Sequence, residues 1–268
     1  MQNARTVLPG FNLSLGYSVV YLSIIVLIPL AAVFMKSFGI EWHGLLDILK
    51  DQRILHALFL SFSTAFCAAL TNVLLGTLTA WCLVRYNFPA KKLIDTLIDL
   101  PSALPTAVAG TALTSIYSAN GWLFNVAYTP TGITLALIFI GLPFVVRTIQ
   151  PVLADIETEL EEASSSLGAT RWQTIRYVIF PTLVPAILTG FALTFARGVG
   201  EYGSVIFIAG NQPYKTEIAP LLIISRLEEY DYAGATTIAV IMLLLSFTVL
   251  LAINLLQNRV NRRLGRTA

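Results

Sequence analysis

Residues 100–146 read LPSALPTAVAGTALTSIYSANGWLFNVAYTPTGITLALIFIGLPFVV, 47 positions without one Asp, Glu, Lys or Arg. A helix needs about 20 apolar residues to cross the hydrocarbon of a bilayer, so this run is long enough for two crossings. Asn120-Gly121 and Pro130-Thr131-Gly132 interrupt it where a turn between them belongs. No β-barrel alternation is visible, and backbone in lipid must otherwise be helical.

Working outward, Leu13–Met35 is an uncharged run of 23 residues, Ile54–Val84 is another between Arg53 and Arg85, and Tyr177–Ala196 and Ala233–Asn258 supply two more. The pattern predicts an all-α membrane protein of one transmembrane domain, 1–268. Its six transmembrane helices are expected at about 13–35, 56–84, 100–118, 131–149, 183–209 and 234–257. Composition agrees. Charged residues make up 12% of the chain and hydrophobic residues 56%, with a mean hydropathy of +0.75. A soluble domain carries about a quarter of its residues charged. This chain cannot cover itself with polar surface, and its solvent is mostly lipid.

With the N-terminus inside, 11 of the 17 Lys and Arg residues fall on the inner side and 5 on the outer, with Arg197 inside a helix. That bias places both termini in the cytoplasm. The first hydrophobic run is too long for a signal-peptide core and is expected to be retained. Cys67 and Cys82 lie on one expected helix and read as small apolar filler. His43 and His56 are expected in the first outer loop, with no partner at metal-ligand spacing.

One inner segment is longer than the rest. From Arg147 to about Pro181 it holds Asp155, Glu157, Glu159, Glu161 and Glu162, a third of the 15 acids in the chain. Leu153, Ile156, Leu160, Ala163 and Leu167 recur at three- and four-residue spacing, which predicts an amphipathic helix. Gly168 reads as its stop and Thr170 as the cap of a second short helix, with Arg171 and Arg176 beyond. A helix lying on the anionic inner leaflet would be basic. This one is acidic, which favours a protein groove.

The string Glu162-Ala163-Ser164, then Leu167-Gly168, then Arg171 and Val178-Ile179-Phe180-Pro181 resembles the "EAA…G…I-x-L-P" signature of ABC-importer permeases. Ser164, Val178 and Phe180 depart conservatively from the pattern. The resemblance implies that about 153–181 is a coupling segment seated on a separate ATPase. No G-x-x-x-x-G-K-[ST] phosphate loop occurs in the chain, so no catalytic site or cofactor is expected here. ATP and Mg2+ belong to the partner.

In the fifth span, Arg197 and Glu201 stand four apart in RGVGEYGS. Charges at membrane depth face a bundle interior or an aqueous cavity. The pair reads either as a contact to a passing oxyanion or as a neutral pair fixing a helix contact or gate. As a buried pair, it predicts that Arg197→Ala alone disrupts more than Arg197→Ala with Glu201→Ala. Pro101 and Pro105 each remove a backbone donor, so the start of the third span is expected to be irregular. Ser102, Thr106, Thr111 and Thr114 offer hydroxyls nearby, suited either to an anion path or to bonds between helices. The outer segment Asn211–Tyr232 reads as a short amphipathic element, either over the pore mouth or capping the bundle.

The fifth span and Ala209-Gly210-Asn211 are similar to sulfate and molybdate permeases. Leu8-Pro9-Gly10-Phe11, Leu15-Gly16-Tyr17, Ile28-Pro29-Leu30 and Asp99-Leu100-Pro101 are similar to T-type subunits of sulfate/thiosulfate importers. The resemblance implies a multi-pass protein of the bacterial inner (plasma) membrane. It also implies a second, CysW-like permease subunit, two CysA-like ATP-binding subunits and a periplasmic sulfate/thiosulfate-binding protein; no nucleic acid is involved. A molybdate or tungstate permease, which usually pairs with itself, is the alternative within this class. An ion-coupled secondary transporter would show inverted repeats and more intramembrane ionisable residues.

Overall fold

The computed structural model describes residues 11–38 and 50–263, and every regular element among them is helical. The sequence motif at Leu8-Pro9-Gly10 and the histidine at His43 lie outside the described residues. The first span is α1 (Phe11–Leu22) joined to α2 (Ile28–Phe38) through a π turn, Ser23–Leu27. Then come α3 (Gln52–Arg85), α4 (Lys91–Ala103), α5 (Thr106–Tyr117) and α6 (Pro130–Ala154). After these, α7 (Thr158–Ser166) and α8 (Arg171–Thr174) lead through a second π turn, Ile175–Ile179, into α9 (Phe180–Val199). The chain continues as α10 (Val205–Ala209), α11 (Ala219–Glu228) and α12 (Tyr232–Arg263). Among the described residues, five unbroken helical stretches are long and apolar enough to cross a membrane: Leu13–Met35, Gln52–Arg85, Pro130–Ala154, Arg171–Val199 and Tyr232–Val260. The chain is an all-α multi-pass membrane protein.

The boundaries differ from the sequence expectation where local chemistry overrides hydropathy. Asp51 caps α3, its side chain accepting from Arg53 N at 2.8 Å, so His56 lies inside a helix rather than in a loop. The expected helix at 100–118 is two helices. The chain is already helical from Lys91 and breaks at Leu104-Pro105, where Pro105 is the cap residue of α5. The fifth helix ends at Val199, ten residues short of 209, and the chain opens between Gly200 and Ser204 before α10. Each π turn ends two residues before a proline, Pro29 or Pro181. Proline lacks the donor that a regular turn requires, and the wider turn accommodates the loss.

The bundle centre is α3, α6 and α9. In lipid there is no hydrophobic drive between helices, so close backbone approach through small residues supplies the contact. Ala65, Ala69 and Ala80 of α3 are fully buried. A Cβ on Gly190 would stand 3.2 Å from Val145 Cα, and one on Gly198 would stand 3.3 Å from Ala65 Cβ. Polar residues join this core as well. Asn72 is fully buried beside Gly141, and its amide pairs with nothing among the described residues. By contrast, no described residue of Leu13–Met35 is buried. That span leans on α12 and leaves the rest of its surface open.

Candidate functional site

The expected coupling segment divides into an inner and an outer half. Leu153 and Ile156, read above as the start of an amphipathic helix, are buried in the core, and the chain turns between Asp155 and Glu157. The helix proper, α7, begins at Thr158 and has no buried residue. Glu162 and Ala163 are exposed, and Leu167 is 89% exposed. Leu160, seven residues earlier and so on the same helical face, extends it into an apolar ridge, and Trp172 beyond the turn is exposed as well. Gly168 ends α7 with φ +83°, and the amide of Ala169 returns to Ser164 O at 3.1 Å. Thr170 and Gln173 form a reciprocal cap that starts α8 at Arg171. Pro181 lies at the start of α9, in an unbroken helical stretch, Arg171–Val199, that begins just after the turn at the end of α7.

Among the described residues, three side-chain contacts hold α7 in place. Glu161 pairs with Arg85 at the end of α3, and its other oxygen accepts from Arg171 at 3.1 Å. The Ser164 hydroxyl meets Thr174 Oγ1 at 2.8 Å. The sequence reading favoured Glu162. The acid that pairs with Arg85 is its half-buried neighbour Glu161, and nothing in the spacing between them announces the pair.

The residues of the expected path gather at two breaks. Arg197 occupies the last turn of α9 with its side chain 43% exposed; Glu201, in the open segment, is 2% exposed. Arg197 Nη2 stands 3.1 Å from Glu201 Oε2, while Glu201 Oε1 accepts from Ser204 N at 3.1 Å and Ser204 Oγ at 3.2 Å. This segment packs on the start of α5. A Cβ on Gly203 would run into Thr106 Oγ1, and one on Gly110 would lie 2.5 Å from Ser204 O. The break at Pro105-Thr106 and the break at Gly200–Ser204 therefore touch. Pro101 is buried in α4, and Ser102 donates to Asp99 O at 2.7 Å. Thr111 and Thr114 likewise donate to carbonyls of their own helix. Among the described residues none accepts from the Thr106 hydroxyl, which leaves Thr106 as the available donor at the junction.

Further ionic clusters went unremarked in the sequence. Arg147 donates to Asp95 at 2.7 Å and to both oxygens of Asp99 at 2.8 and 2.6 Å, tying α4 to α6. Arg53 donates through Nε and Nη2 to the two oxygens of Glu217, each at 2.7 Å. Their separations, 48 to 164 residues, carry no helical period. Among the described residues no group of three or more His, Cys, Asp or Glu could hold a metal ion.

Residues 72–266 match the family of binding-protein-dependent transport system inner membrane components. The chain belongs to that family. It is 46% identical over 269 residues to the sulfate transport system permease protein CysT of Escherichia coli (strain K12), covering 97% of each chain. It is 48% identical to the CysT protein of Synechocystis sp., covering 90% of this chain and 87% of that one. A crystal structure of a bacterial ABC transporter that imports the acidic polysaccharide alginate superposes with a TM-score of 0.78. It is 16% identical and covers 92% of this chain and 94% of that one, so it speaks for the fold alone.

Proposed function

We propose that this chain is the T-type permease subunit of an ATP-driven importer of sulfate and thiosulfate. The observation that carries the reading is 46% identity across 97% of a sulfate permease, with the same share of both chains aligned. The site geometry supports it. An exposed ridge at 158–167 leads, through the turn at Gly168, into an unbroken helical stretch that begins at Arg171, as a chain that borrows its ATP chemistry needs. We place Glu162, Ala163, Ser164, Leu167, Gly168, Arg171 and Pro181 in the docking of the ATPase.

In this reading α4 and α5 together form the sixth crossing. Their 13 and 12 residues give about 37 Å of helix at about 1.5 Å each, enough for a core about 30 Å thick. Broken helices at membrane depth belong where they line a cavity or are buried in protein. Pro101, Ser102, Pro105, Thr106, Arg197 and Glu201 then flank the path. Because Glu201 compensates Arg197, the site offers a dianion hydrogen-bond donors without a fixed net charge that would retain it. The remaining parts are a second permease subunit, two ATP-binding subunits and a periplasmic binding protein, with both termini of this chain in the cytoplasm.

The test is uptake of radiolabelled sulfate into vesicles holding the complete transporter, with its binding protein outside and ATP inside. Uptake should require ATP and be blocked by excess thiosulfate. Molybdate blocking at lower concentration than thiosulfate would reassign the cargo to the larger oxyanion. Uptake driven by an ion gradient without ATP would overturn the class.

A further inference from the structure

Both ends of α3 are held by an acid from a distant part of the chain. At one end Arg53 grips Glu217 through two parallel hydrogen bonds of 2.7 Å, and Glu217 is 1% exposed. Glu217 stands two residues before α11, in the segment that leads from the break after α9. At the other end Arg85 pairs with Glu161 of α7. Between the two arginines runs unbroken helix. The 34 residues of α3 span about 50 Å at about 1.5 Å each. Its small residues lock it to its neighbours: Ala65 lies against Gly198, and a Cβ on Gly76 would strike Val145. Interlocked helices of this kind shift as units rather than deform.

The other grips on α7 are slight. It buries no residue of its own, and among the described residues the side-chain contacts holding it to the bundle are those of Glu161 and the Ser164–Thr174 contact. Partly exposed ion pairs contribute little stability. The bidentate Arg53–Glu217 pair does fix relative position, because its geometry is narrow, and Glu161 is held by charge between Arg85 and Arg171. We infer that α3 is a transmission rod, latched by Arg85–Glu161 to the ATPase-docking helix and by Arg53–Glu217 to the segment ahead of α11. Glu161 and Glu217 are positioning residues: displacement of α7 reaches the far end of the bundle through them. A signal from that end returns by the same route, since coupling between sites is reciprocal. The inference rests on the docking assignment of α7.

The experiment uses the complete transporter in vesicles and reads ATP hydrolysis stimulated by sulfate-loaded binding protein. Glu161→Gln and Glu217→Gln should each lower the stimulation about fivefold or more, the range of a coupling free energy between sites. The ATPase subunits should still co-purify with both variants. Changes at distant independent sites normally add. Two latches on one rod should not: the double variant should fall no further than the worse single. Full stimulation in either single variant, or a double loss equal to the product of the two, overturns the rod. If Glu217→Gln accumulates poorly, Arg53→Glu combined with Glu217→Arg replaces it, and this exchange must restore most of the stimulation. Leu167→Asp tests the docking assignment separately, because it must reduce recovery of the ATPase subunits. Their undiminished recovery defeats the docking reading. Reduced recovery there, with Glu161→Gln still fully stimulated, defeats the rod alone.

Discussion

Gly168, in the turn after α7, and Gly110, inside α5, are glycines for opposite reasons. At Gly168 the backbone sits at φ +83° with nothing within 4 Å of where a Cβ would be. The constraint is conformational, and the surroundings are empty. At Gly110 the backbone is ordinary helix, yet a Cβ would lie 2.5 Å from Ser204 O and 2.8 Å from Ser204 Cα. There the constraint is space. A tight turn that reverses the chain between two short helices needs the left-handed conformation. A junction of two broken helices in lipid needs backbone close enough to satisfy groups that water cannot reach. The first region faces outward, and the second closes on itself.

The contrast is broken most forcefully at Gly110. Gly110→Val would drive a branched side chain into the backbone of the 200–204 segment, and backbone cannot swing aside as a side-chain tip can. Overpacking of this kind costs about 1–3 kcal/mol, with backbone collisions at the upper end. The expected result is a large loss of monodisperse protein in detergent and a lower unfolding temperature. A variant that purifies and melts like the parent would show that the two breaks do not touch.

Next in size is the ionic pair, where the structure changes the expectation drawn from spacing. Four residues apart on a helix, Arg197 and Glu201 predict that losing both is milder than losing Arg197. Glu201 is not on that helix. It also accepts from the backbone amide and the hydroxyl of Ser204, and Arg197 is much the more exposed partner. Glu201→Ala therefore orphans a buried amide whether or not Arg197 is present, at a cost of about 1–3 kcal/mol. Arg197→Ala leaves Glu201 two donors. The expected order of thermal stability is parent, then Arg197→Ala, then Glu201→Ala and the double variant together. A double variant more stable than Arg197→Ala would restore the simple pair.

The outer region was far more legible in the sequence than the inner one. Uncharged runs locate five unbroken spans because burial in lipid demands apolar composition along the whole helix. The turn at Gly168 and the cap at Thr170 are local chemistry, written within a few residues. Pro101 and Pro105 announced an irregular start to the third span but not its form. The break falls at Leu104-Pro105, after a helix that begins at Lys91. The end of α9 at Val199 was hidden because Gly200 and Ser204 continue the small-residue spacing of Ala192 and Ala196, and the opening depends on packing against α5. Arg85–Glu161 and Arg53–Glu217 were illegible for the same reason. Their meaning lies in three-dimensional contact between residues 76 and 164 positions apart in the chain.

The smallest effect on stability should fall at Gly168, and there it separates folding from work. Gly168→Ala asks an L-residue to hold a left-handed conformation, at about 1–2 kcal/mol. Nothing is displaced by the new methyl, because the site is open. The turn can relax by fraying the last residues of α7, where Leu167 is already exposed. The bundle, whose core lies on α3, α6 and α9, has no reason to respond. Membrane insertion and unfolding temperature should stay near the parent, while sulfate uptake falls more than ATP hydrolysis does. Gly168→Asn should recover part of the lost uptake, since Asn tolerates the left-handed region better than Ala. If Ala and Asn behave alike, the defect is not one of backbone conformation. If neither lowers uptake, the shape of this turn does not matter to coupling, and the difference between the two glycines is one of packing alone.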